Sequence, residues 1–426
     1  MKRKRYRSRY NNRRRRSALS ASNWGPIVKL LGCVLGAAAL LAVVVLGTMV
    51  VLEAVFKVDT PLKPDGIIAR VAKSLSRDKD DVLVTTPTPY YSPVPTATPH
   101  PMDTYNAQEA EKEVVLPVDM RYRYFGDPYV YNGKMLFTAG LIVNGDVNMC
   151  ALMEYDPSTG SLNELSLKPK HEHFVYPMFN DEWLVYLDGK LEGGGDICAY
   201  NLKTQGEPII IKTVYIGQPE LRLDGHYVAW TERTGTTRDK LFVCDIETLE
   251  TTVVAMFSNS GYGTSAPDFN EGMLIWAAED STYYEDGRTT SVIKHIDIQS
   301  SGIGLNDYTT GTYIHDPETN GSYFAWIDAH HSENSKLYIA PITESTSLTP
   351  KLISSGVVDF YLDDRFVAYS VDEVVYVYIF ETECSYRITP ERELAQLLGA
   401  SDGYVIWMDV TTRERDVLKL AHIPLQ

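Results

Sequence analysis

The chain has 426 residues, of which 44% are hydrophobic and 23% are charged, with a formal net charge of −16 at pH 7. The hydrophobic content excludes a wholly disordered protein, and the acidic balance argues against nucleic-acid binding, which needs a basic surface. The charge is divided unevenly. Residues 1–29 carry 11 Lys or Arg and no acid, whereas residues 54–426 carry 29 Lys or Arg against 55 Asp or Glu, a net charge of −26. Residues 54–426 should therefore attract cations and basic partners.

A transmembrane helix is predicted at residues 30–52, which are 23 consecutive uncharged and mainly aliphatic residues. The basic flank at residues 1–29 keeps the N-terminus in the cytoplasm and can touch anionic lipid. We therefore expect a single-pass signal anchor in the cell membrane, with all later residues extracytoplasmic. Lipidation at Cys33 and a twin-arginine signal at Arg15-Arg16 stay open as alternatives, although the apolar run follows Cys33 and most of the twin-arginine motif is missing.

A juxtamembrane segment and a stalk are predicted at residues 53–112. Within them, residues 85–101 hold six prolines in 17 residues, which favours an extended polyproline conformation over helix or sheet. At ~3.1 Å per residue such a stalk is on the order of 50 Å long. It would hold the remaining domain away from the membrane.

Seven copies of one phrase, a polar turn followed by an apolar run that ends in an aromatic residue, occupy residues 113–426. The clearest copy is Asp-Gly-His-Tyr-Val-Ala-Trp at 224–230, and successive aromatics are 49, 44, 46, 50, 43 and 38 residues apart. A period near 45 built from short strands is typical of β-propeller blades. The repeat aromatics are Phe137, Tyr186, Trp230, Trp276, Trp326, Tyr369 and Trp407.

Each repeat offers about four strands, rich in Val, Ile, Tyr and Trp and separated by Asp, Gly, Asn and Thr turns. In the third repeat we predict strands at 218–223, 226–232, 240–246 and 251–257. The seventh repeat offers only three, while a spare candidate, Glu113–Asp119, precedes the first. Pairing that segment with the seventh repeat would cover two open edges. The predicted fold is an all-β, seven-bladed propeller closed by an N-terminal strand.

The segment from Pro219 to Trp230, Pro-Glu-Leu-Arg-Leu-Asp-Gly-His-Tyr-Val-Ala-Trp, resembles the Pro-x-Trp-Ser-Pro-Asp-Gly-x-x-Ile-Ala-Phe repeat of TolB-like β-propellers. The resemblance covers about residues 120–426. It implies the propeller fold, in a bacterial membrane-anchored protein, and does not by itself imply a function.

Metal and redox motifs are sparse. The cysteines outside the predicted span, Cys150, Cys198, Cys244 and Cys384, form no Cys-x-x-Cys pair. The first three fall in or beside third strands and are expected to be small core residues, and the spacing does not reveal whether disulfides form. His173 and His315 flank predicted innermost strands and are the histidine candidates for a metal site, although they lie three blades apart.

The acids follow the repeat more closely. Ten residues before the aromatic, four of seven repeats place a carboxylate on the strand predicted to line the central channel: Asp127, Glu220, Asp316 and Asp359. Such a ring suits Ca²⁺ or a basic peptide. A second set follows the aromatics by two or three residues and is expected to serve turns.

We therefore expect a non-enzymatic binding or scaffold module for a cell-envelope protein, peptide or glycan, with no cofactor other than a Ca²⁺ ion that the acid ring could hold. The alternative is a propeller lyase or glycosidase that uses the channel carboxylates and histidines, with or without a metal. No nucleophile elbow, phosphate loop or His-Glu-x-x-His motif supports an enzyme.

Overall fold

Short antiparallel strands and the turns between them build the part of the chain that the structure, a computed structural model, describes. That part comprises residues 111–117, 121–234, 238–258, 265–283, 289–298, 306–311, 313–328, 335–342, 350–412 and 417–424. It contains no helix, and hence none that is long and apolar enough to cross a membrane. Of the predicted tail, span and stalk, residues 1–112, all but Glu111 and Lys112 lie outside it.

Twenty-eight strands form seven four-stranded antiparallel sheets, the blades. Blades 1 and 2 are β2 (Tyr124–Tyr131), β3 (Lys134–Val143), β4 (Asp146–Asp156) and β5 (Ser161–Glu164), then β6 (His173–Phe179), β7 (Trp183–Gly189), β8 (Gly195–Asn201) and β9 (Ile209–Val214). Blades 3 and 4 are β10 (Leu221–Asp224), β11 (Tyr227–Thr234), β12 (Arg238–Asp245) and β13 (Glu250–Ser258), then β14 (Asp268–Asn270), β15 (Met273–Tyr283), β16 (Thr289–Asp297) and β17 (Asn306–Gly311).

The remaining three blades follow the same order. Blades 5 and 6 are β18 (Ile314–Thr319), β19 (Tyr323–Asp328), β20 (Lys336–Pro341) and β21 (Lys351–Ser355), then β22 (Val357–Leu362), β23 (Phe366–Val371), β24 (Val374–Ile379) and β25 (Cys384–Arg387). Blade 7 is β26 (Ala395–Ser401), β27 (Tyr404–Asp409), β28 (Val417–His422) and β1 (Glu111–Val115). The four strands predicted for the third repeat are all present, with bounds shifted by up to three residues.

The predicted strand exchange closes the ring. β1 pairs with β28 in antiparallel register, Val114 opposite Leu420, and the N–H of Leu116 donates to Leu418 O at 3.0 Å. The closing strand begins two residues before the predicted Glu113. Because β1 covers β28 from the opposite end of the domain, the first and last strands of the propeller lie in one sheet.

The seven repeat aromatics lie in the second strand of each blade, and all are buried. Their rings fill the space between neighbouring blades. Trp230 of blade 3, for example, stacks on Phe242 at 5.3 Å and packs against Val185 of blade 2. The repeat is therefore a packing repeat, because each blade buries its apolar face only against its neighbour.

Hydrogen bonds from the turn after each innermost strand link every blade to the next. Asn180 Nδ2 donates to Gly225 O at 2.7 Å, and the N–H of Gly272 donates to Asp224 Oδ2 at 2.6 Å. The other five junctions are bridged by the pairs Asn132–Asp181, Asn270–Thr319, Asn320–Asp363, Asp363–Gly403 and Asp402–Gly133. The polar turns recognised in the sequence thus hold neighbouring blades together.

A buried ionic cluster lies beside the closing strand. Lys419 of β28 contacts Glu393 at 2.5 Å and Asp409 at 3.2 Å, and Glu393 also accepts the indole N–H of Trp407 at 2.8 Å. The side chains of Lys419 and Glu393 are each only 9% exposed. Removing one partner of such a pair is strongly destabilising, because it leaves the other charge buried and unpaired. The cluster therefore holds β28 against β27.

The four cysteines in the described residues are free thiols. Cys198 and Cys244 are buried in third strands, as expected, whereas Cys150 is half-buried and Cys384 is exposed on β25. No disulfide joins any two of these four residues.

Truncation tests the closure. We expect a chain that starts at residue 118, and so lacks β1, to melt roughly 5–10 °C below a chain that starts at residue 103, because it loses the β1–β28 hydrogen bonds and the burial of Leu116. Differential scanning calorimetry of both gives the comparison. The shorter chain should also self-associate through the open edge of β28. Equal melting temperatures and a monomeric short chain would contradict closure by β1.

Candidate functional site

The innermost strands of the seven blades surround a central channel. Each contacts the innermost strands of both neighbouring blades, in the closed order β2, β6, β10, β14, β18, β22, β26 and back to β2. We call the end at which these strands begin the mouth face and the opposite end, with the turns between first and second strands, the turn face. Connections between blades and turns between second and third strands lie on the mouth face.

A proline bulge sets the direction of several channel side chains. Asp127-Pro128, Tyr176-Pro177 and Asp316-Pro317 each interrupt an innermost strand at a shift of register. The residue before the proline has a positive φ, 47° at Asp127 and 47° at Asp316. Proline lacks an N–H and is tolerated here because the innermost strand is an edge. The bulge takes the preceding side chain out of the regular alternation of the strand.

The four sequence-predicted acids share one electrostatic environment. Burial and the charge of Glu220 raise the pKa of Asp127 to about 6. Burial and the charges of Asp316 and Glu220 raise the pKa of Asp359 to about 6. Burial likewise raises the pKa of Glu220, with a further contribution from Asp316. Burial is the largest cause of each of these shifts, and the smaller contributions of Glu220 and Asp316 show that these carboxylates lie near enough to interact across the channel.

Two of these acids, Asp127 and Asp316, form hydrogen bonds with neighbouring groups of the protein. Asp127 Oδ2 accepts the N–H of Tyr176 at 3.2 Å from the next blade. Asp316 accepts the N–H of Ala266 at 3.0 Å and contacts His315 Nδ1 at 2.9 Å. Burial opposes ionisation of Asp316, but His315 outweighs it and the pKa of Asp316 is lowered. These carboxylates therefore contribute to blade packing as well as to the channel charge.

Water reaches the ring. The side chains of Glu220 and Asp316 are 44% and 52% exposed although protein surrounds them on all sides of the channel. A solvent-connected ring of carboxylates is open to a soluble cation.

A second tier lies two residues further along the innermost strands and was missed by sequence reasoning. Arg222 Nε donates to Asp268 Oδ1 at 3.2 Å, and Arg222 Nη2 reaches Glu220 Oε2 at 3.4 Å. Burial and the charge of Asp268 raise the pKa of Glu318 well above its usual range. Counting eight residues back from each aromatic would have found this tier: Tyr129, Met178, Arg222, Asp268, Glu318, Tyr361 and Gly399.

Negative charge dominates the two tiers together. Of their fourteen positions, six are acidic and only Arg222 is basic. Burial raises the pKa of the Tyr361 hydroxyl, and the charges of Asp359 and Glu220 raise it further. The channel lining therefore carries an excess of carboxylate that its single guanidinium does not neutralise.

For the metal sites predicted at the channel acids and at the two histidines, the described residues show no defined set of ligands. We call Asp127, Glu220, Asp316 and Asp359 the mouth acids. No three of them bring ligand atoms within 4.8 Å of one another in the described part of the chain. His173 is buried in blade 2, where its Nε2 lies 2.8 Å from Gln218 Nε2 and burial lowers its pKa. His315 is in blade 5, paired with Asp316. The structure does not join the two histidines, and Ca²⁺ binding by the mouth acids stays a prediction.

Three acids of the second predicted set, Asp188, Glu232 and Asp328, have hydrogen-bond partners nearby. Asp188 accepts the N–H groups of Lys170 and His171, and Asp328 accepts the N–H of Tyr313 at 2.7 Å. Glu232 accepts the indole N–H of Trp230 at 2.7 Å. These carboxylates order loops and leave the channel acids as the larger unneutralised group.

An exposed apolar ledge lies on the same mouth face. Tyr215 and Ile216 are 86% and 82% exposed in the connection that runs from the outermost strand of blade 2 to the innermost strand of blade 3. Leu191, 45% exposed, belongs to the neighbouring β7–β8 turn. The N–H of Gly194 donates to Gly217 O at 2.7 Å and ties the two loops together. The ledge is thus held in place and leads from the rim towards Glu220.

The sequence matches no model of a known protein family and no curated protein. Among solved structures, it is similar to the acylaminoacyl peptidase of Pyrococcus horikoshii, with 11% identity, a TM-score of 0.51 and coverage of 70% of this chain and 51% of that chain. It is similar to the β-propeller domain of the Trilobed protease from Pyrococcus furiosus, with 13% identity, a TM-score of 0.53 and coverage of 70% and 94%.

TolB from Acinetobacter baumannii also matches, with 12% identity, a TM-score of 0.38 and coverage of 64% of this chain and 59% of that chain. The β-propeller resemblance predicted from the repeats is confirmed for the fold, on the two structures with TM-scores above 0.5. This chain spans about half the length of the Pyrococcus horikoshii peptidase. Identities this low carry no activity across.

Burial of Asp359, together with repulsion by neighbouring carboxylates, predicts a stabilising substitution. Because the pKa of Asp359 is raised to about 6, the folded state binds its proton more tightly than the unfolded state, and this residue's contribution to stability falls as pH rises from about 4 to 6. We expect Asp359→Asn to raise the free energy of unfolding at pH 7.5 by about 1–2 kcal/mol. The gain should shrink towards pH 4.5, where wild-type Asp359 is protonated.

Urea unfolding followed by tryptophan fluorescence at both pH values measures this difference. Asp364→Asn, which removes an exposed turn acid from the same blade, is the matched control and should leave stability unchanged at both. An Asp359→Asn protein that is less stable than wild type at pH 7.5 would show that the carboxylate is stabilised in the channel.

Proposed function

We propose that this chain is a membrane-anchored, extracytoplasmic and non-enzymatic binding module whose propeller takes a cationic segment of a cell-envelope protein or peptide at the mouth face. The observation that carries the proposal is the raised pKa of both Asp127 and Asp359, about 6 each, which burial causes first and to which the charge of Glu220 contributes in both cases. A carboxylate whose pKa is raised by burial and by a neighbouring carboxylate is stabilised when a cation is brought beside it. The propeller fold supplies the scaffold.

The ledge supports a polypeptide occupant. Tyr215 and Ile216 expose apolar side chains on a connection that leads to the channel acid Glu220. Exposed aromatic and aliphatic side chains held by a rigid loop are typical of protein contacts. A segment with Lys or Arg for the channel and an apolar residue for the ledge fits both features.

The anchor part of the proposal rests on sequence. Residues 30–52 would hold the protein in the bilayer, the basic residues 1–29 would contact anionic lipid in the cytoplasmic leaflet, and the proline-rich segment would space the propeller from the membrane. The net charge of −26 over residues 54–426 favours basic partners and disfavours nucleic acid.

Acid–base catalysis is the second candidate. Carboxylic acids with a pKa of about 6, such as Asp127 and Asp359, and the His315–Asp316 pair at 2.9 Å are groups that general acid–base enzymes use. A lyase or glycosidase with a site in the channel would draw on them. It would lose turnover on Asp127→Asn or Asp359→Asn without losing affinity for its glycan, whereas the binding module loses affinity.

Peptide binding tests the proposal. We expect a fluorescein-labelled peptide of alternating Arg and Leu to bind the full chain in mild detergent, and its counterpart with Glu for Arg not to bind. Affinity should fall about tenfold between pH 7.5 and pH 5, because protonation of Asp127 and Asp359 removes two charges from the site. Fluorescence anisotropy at 50 and 300 mM salt measures both effects.

The double variant Asp127→Asn/Asp359→Asn should bind weakly at every pH, while Asp364→Asn should match wild type. Tyr215→Ser/Ile216→Ser should weaken binding without changing its pH dependence. Binding of the Arg peptide that is equal in the double variant and in wild type would overturn the channel as the site. A neutral glycan occupant would show binding that neither salt nor the double variant alters.

A further inference from the structure

Three metal-ligating side chains converge on the turn face of blade 3, at the end of the propeller opposite the mouth acids. Their donor atoms, one each from His226, Asp245 and Glu247, all lie within 4.8 Å of one another. His226 directly precedes β11, Asp245 ends β12, and Glu247 lies in the β12–β13 turn. Only these residues form such a group of three in the described part of the chain.

The backbone holds the three positions in place. Tyr227 and Asp245 are paired residues of β11 and β12, and the N–H of Ile246 donates to His226 O at 2.9 Å. Asp245 Oδ1 accepts the N–H groups of Glu247 and Thr248 at 2.9 and 3.3 Å. Because the turn binds Oδ1 of Asp245, the position of the second oxygen, Oδ2, is also fixed.

Two of the three side chains have no polar partner of their own in the described part of the chain. Within the described residues, no hydrogen bond or ion pair is formed by a ring nitrogen of His226 or by the carboxylate of Glu247. The His226 ring is half-buried against Tyr227, with ring centroids 4.2 Å apart. One imidazole and two carboxylates therefore meet, and within the described residues no lysine or arginine forms an ion pair with them.

The equivalent turn in blade 2 holds an ion pair at the positions of these ligands. Its backbone is equivalent: the N–H of Leu202 donates to Glu182 O at 2.8 Å, and Asn201 Oδ1 accepts the N–H groups of Lys203 and Thr204 at 3.0 and 2.9 Å. There Lys203 Nζ binds Glu182 Oε2 at 2.8 Å. In blade 3, His226 takes the position of Glu182, Asp245 that of Asn201 and Glu247 that of Lys203. The lysine–glutamate ion pair of blade 2 is therefore replaced by one imidazole and two carboxylates, all of which are metal ligands.

We infer that His226, Asp245 and Glu247 bind a divalent transition-metal ion of the Zn²⁺ type. An imidazole nitrogen with carboxylate oxygens suits Zn²⁺, which accepts three protein ligands and keeps further positions for water or a partner's side chain. Ca²⁺ and Mg²⁺ prefer all-oxygen ligand sets. The site is independent of the mouth face and of any ligand bound there.

Zn²⁺ titration of the full chain in mild detergent, after removal of metal with EDTA, tests the inference. We expect wild type to bind one equivalent of Zn²⁺ that His226→Gln and Glu247→Lys lose, with affinity at least tenfold weaker in each, by isothermal titration calorimetry. Glu247→Lys installs the blade 2 residue, so it should keep its fold. Melting temperature should rise with Zn²⁺ in wild type and remain unchanged in both variants.

Glu192→Gln, which removes an exposed acid from the mouth face, is the control and should bind Zn²⁺ as wild type does. Melting curves in EDTA verify that each variant is folded. Wild-type protein without a stoichiometric Zn²⁺ site, or variants that keep it, would overturn the assignment. In the second case the ion would be bound elsewhere, by other histidines or by the free thiols.

Discussion

The ring depends on polar bonds that pass from each innermost strand to the next blade. Apolar packing between blades supplies most of the buried area, but it is non-directional and sets neither the register nor the number of blades. The turn residues fix the register, because Asn180, Asp224, Asn320 and Asp363 bond the backbone of the following blade at one defined height. A blade displaced along the axis would break these bonds, at a cost of about 1–3 kcal/mol for each of the two buried ones, from Asn320 and to Asp363.

The same constraint explains why the channel is acidic and why its acids are not all free. A carboxylate on an innermost strand can accept an N–H from a neighbouring blade, as Asp127 does from Tyr176 and Asp268 does from Thr319. Such acids hold blades together whether or not a ligand binds. Asp359, whose pKa is raised by burial and by neighbouring carboxylates, differs from them, and the cation binding that we propose would depend on residues of its kind.

The fold was largely predictable, because the repeat records packing that every blade needs. An aromatic at one position of each second strand has to fill the same inter-blade space, so Phe137 and Trp407 reveal blades 1 and 7 as clearly as Trp230 reveals blade 3. The closing strand was predictable because the seventh repeat lacks a fourth strand and an additional strand candidate precedes the first repeat. The mouth acids were found by counting from the aromatics.

The remaining site features depend on contacts between strands that no spacing reveals. Arg222 was overlooked because its role comes from Asp268 on the next blade, 46 residues away. His226 was overlooked because Asp245 and Glu247 approach it only through the pairing of β11 with β12. A comparison of equivalent turns, Lys203 against Glu247, would have pointed to the difference, but equivalence of the turns is itself a structural observation.

The closing strand also determines how the protein bears mechanical load. The chain enters the propeller through β1, so tension on the residues before it reaches the β1–β28 ladder before any other part of the domain. A pull along β1 loads its hydrogen bonds to β28 together in shear, while the buried Lys419–Glu393 pair resists displacement of β28 itself. In a tethered protein, this sheet is where force would first be felt and where extraction of the domain would begin.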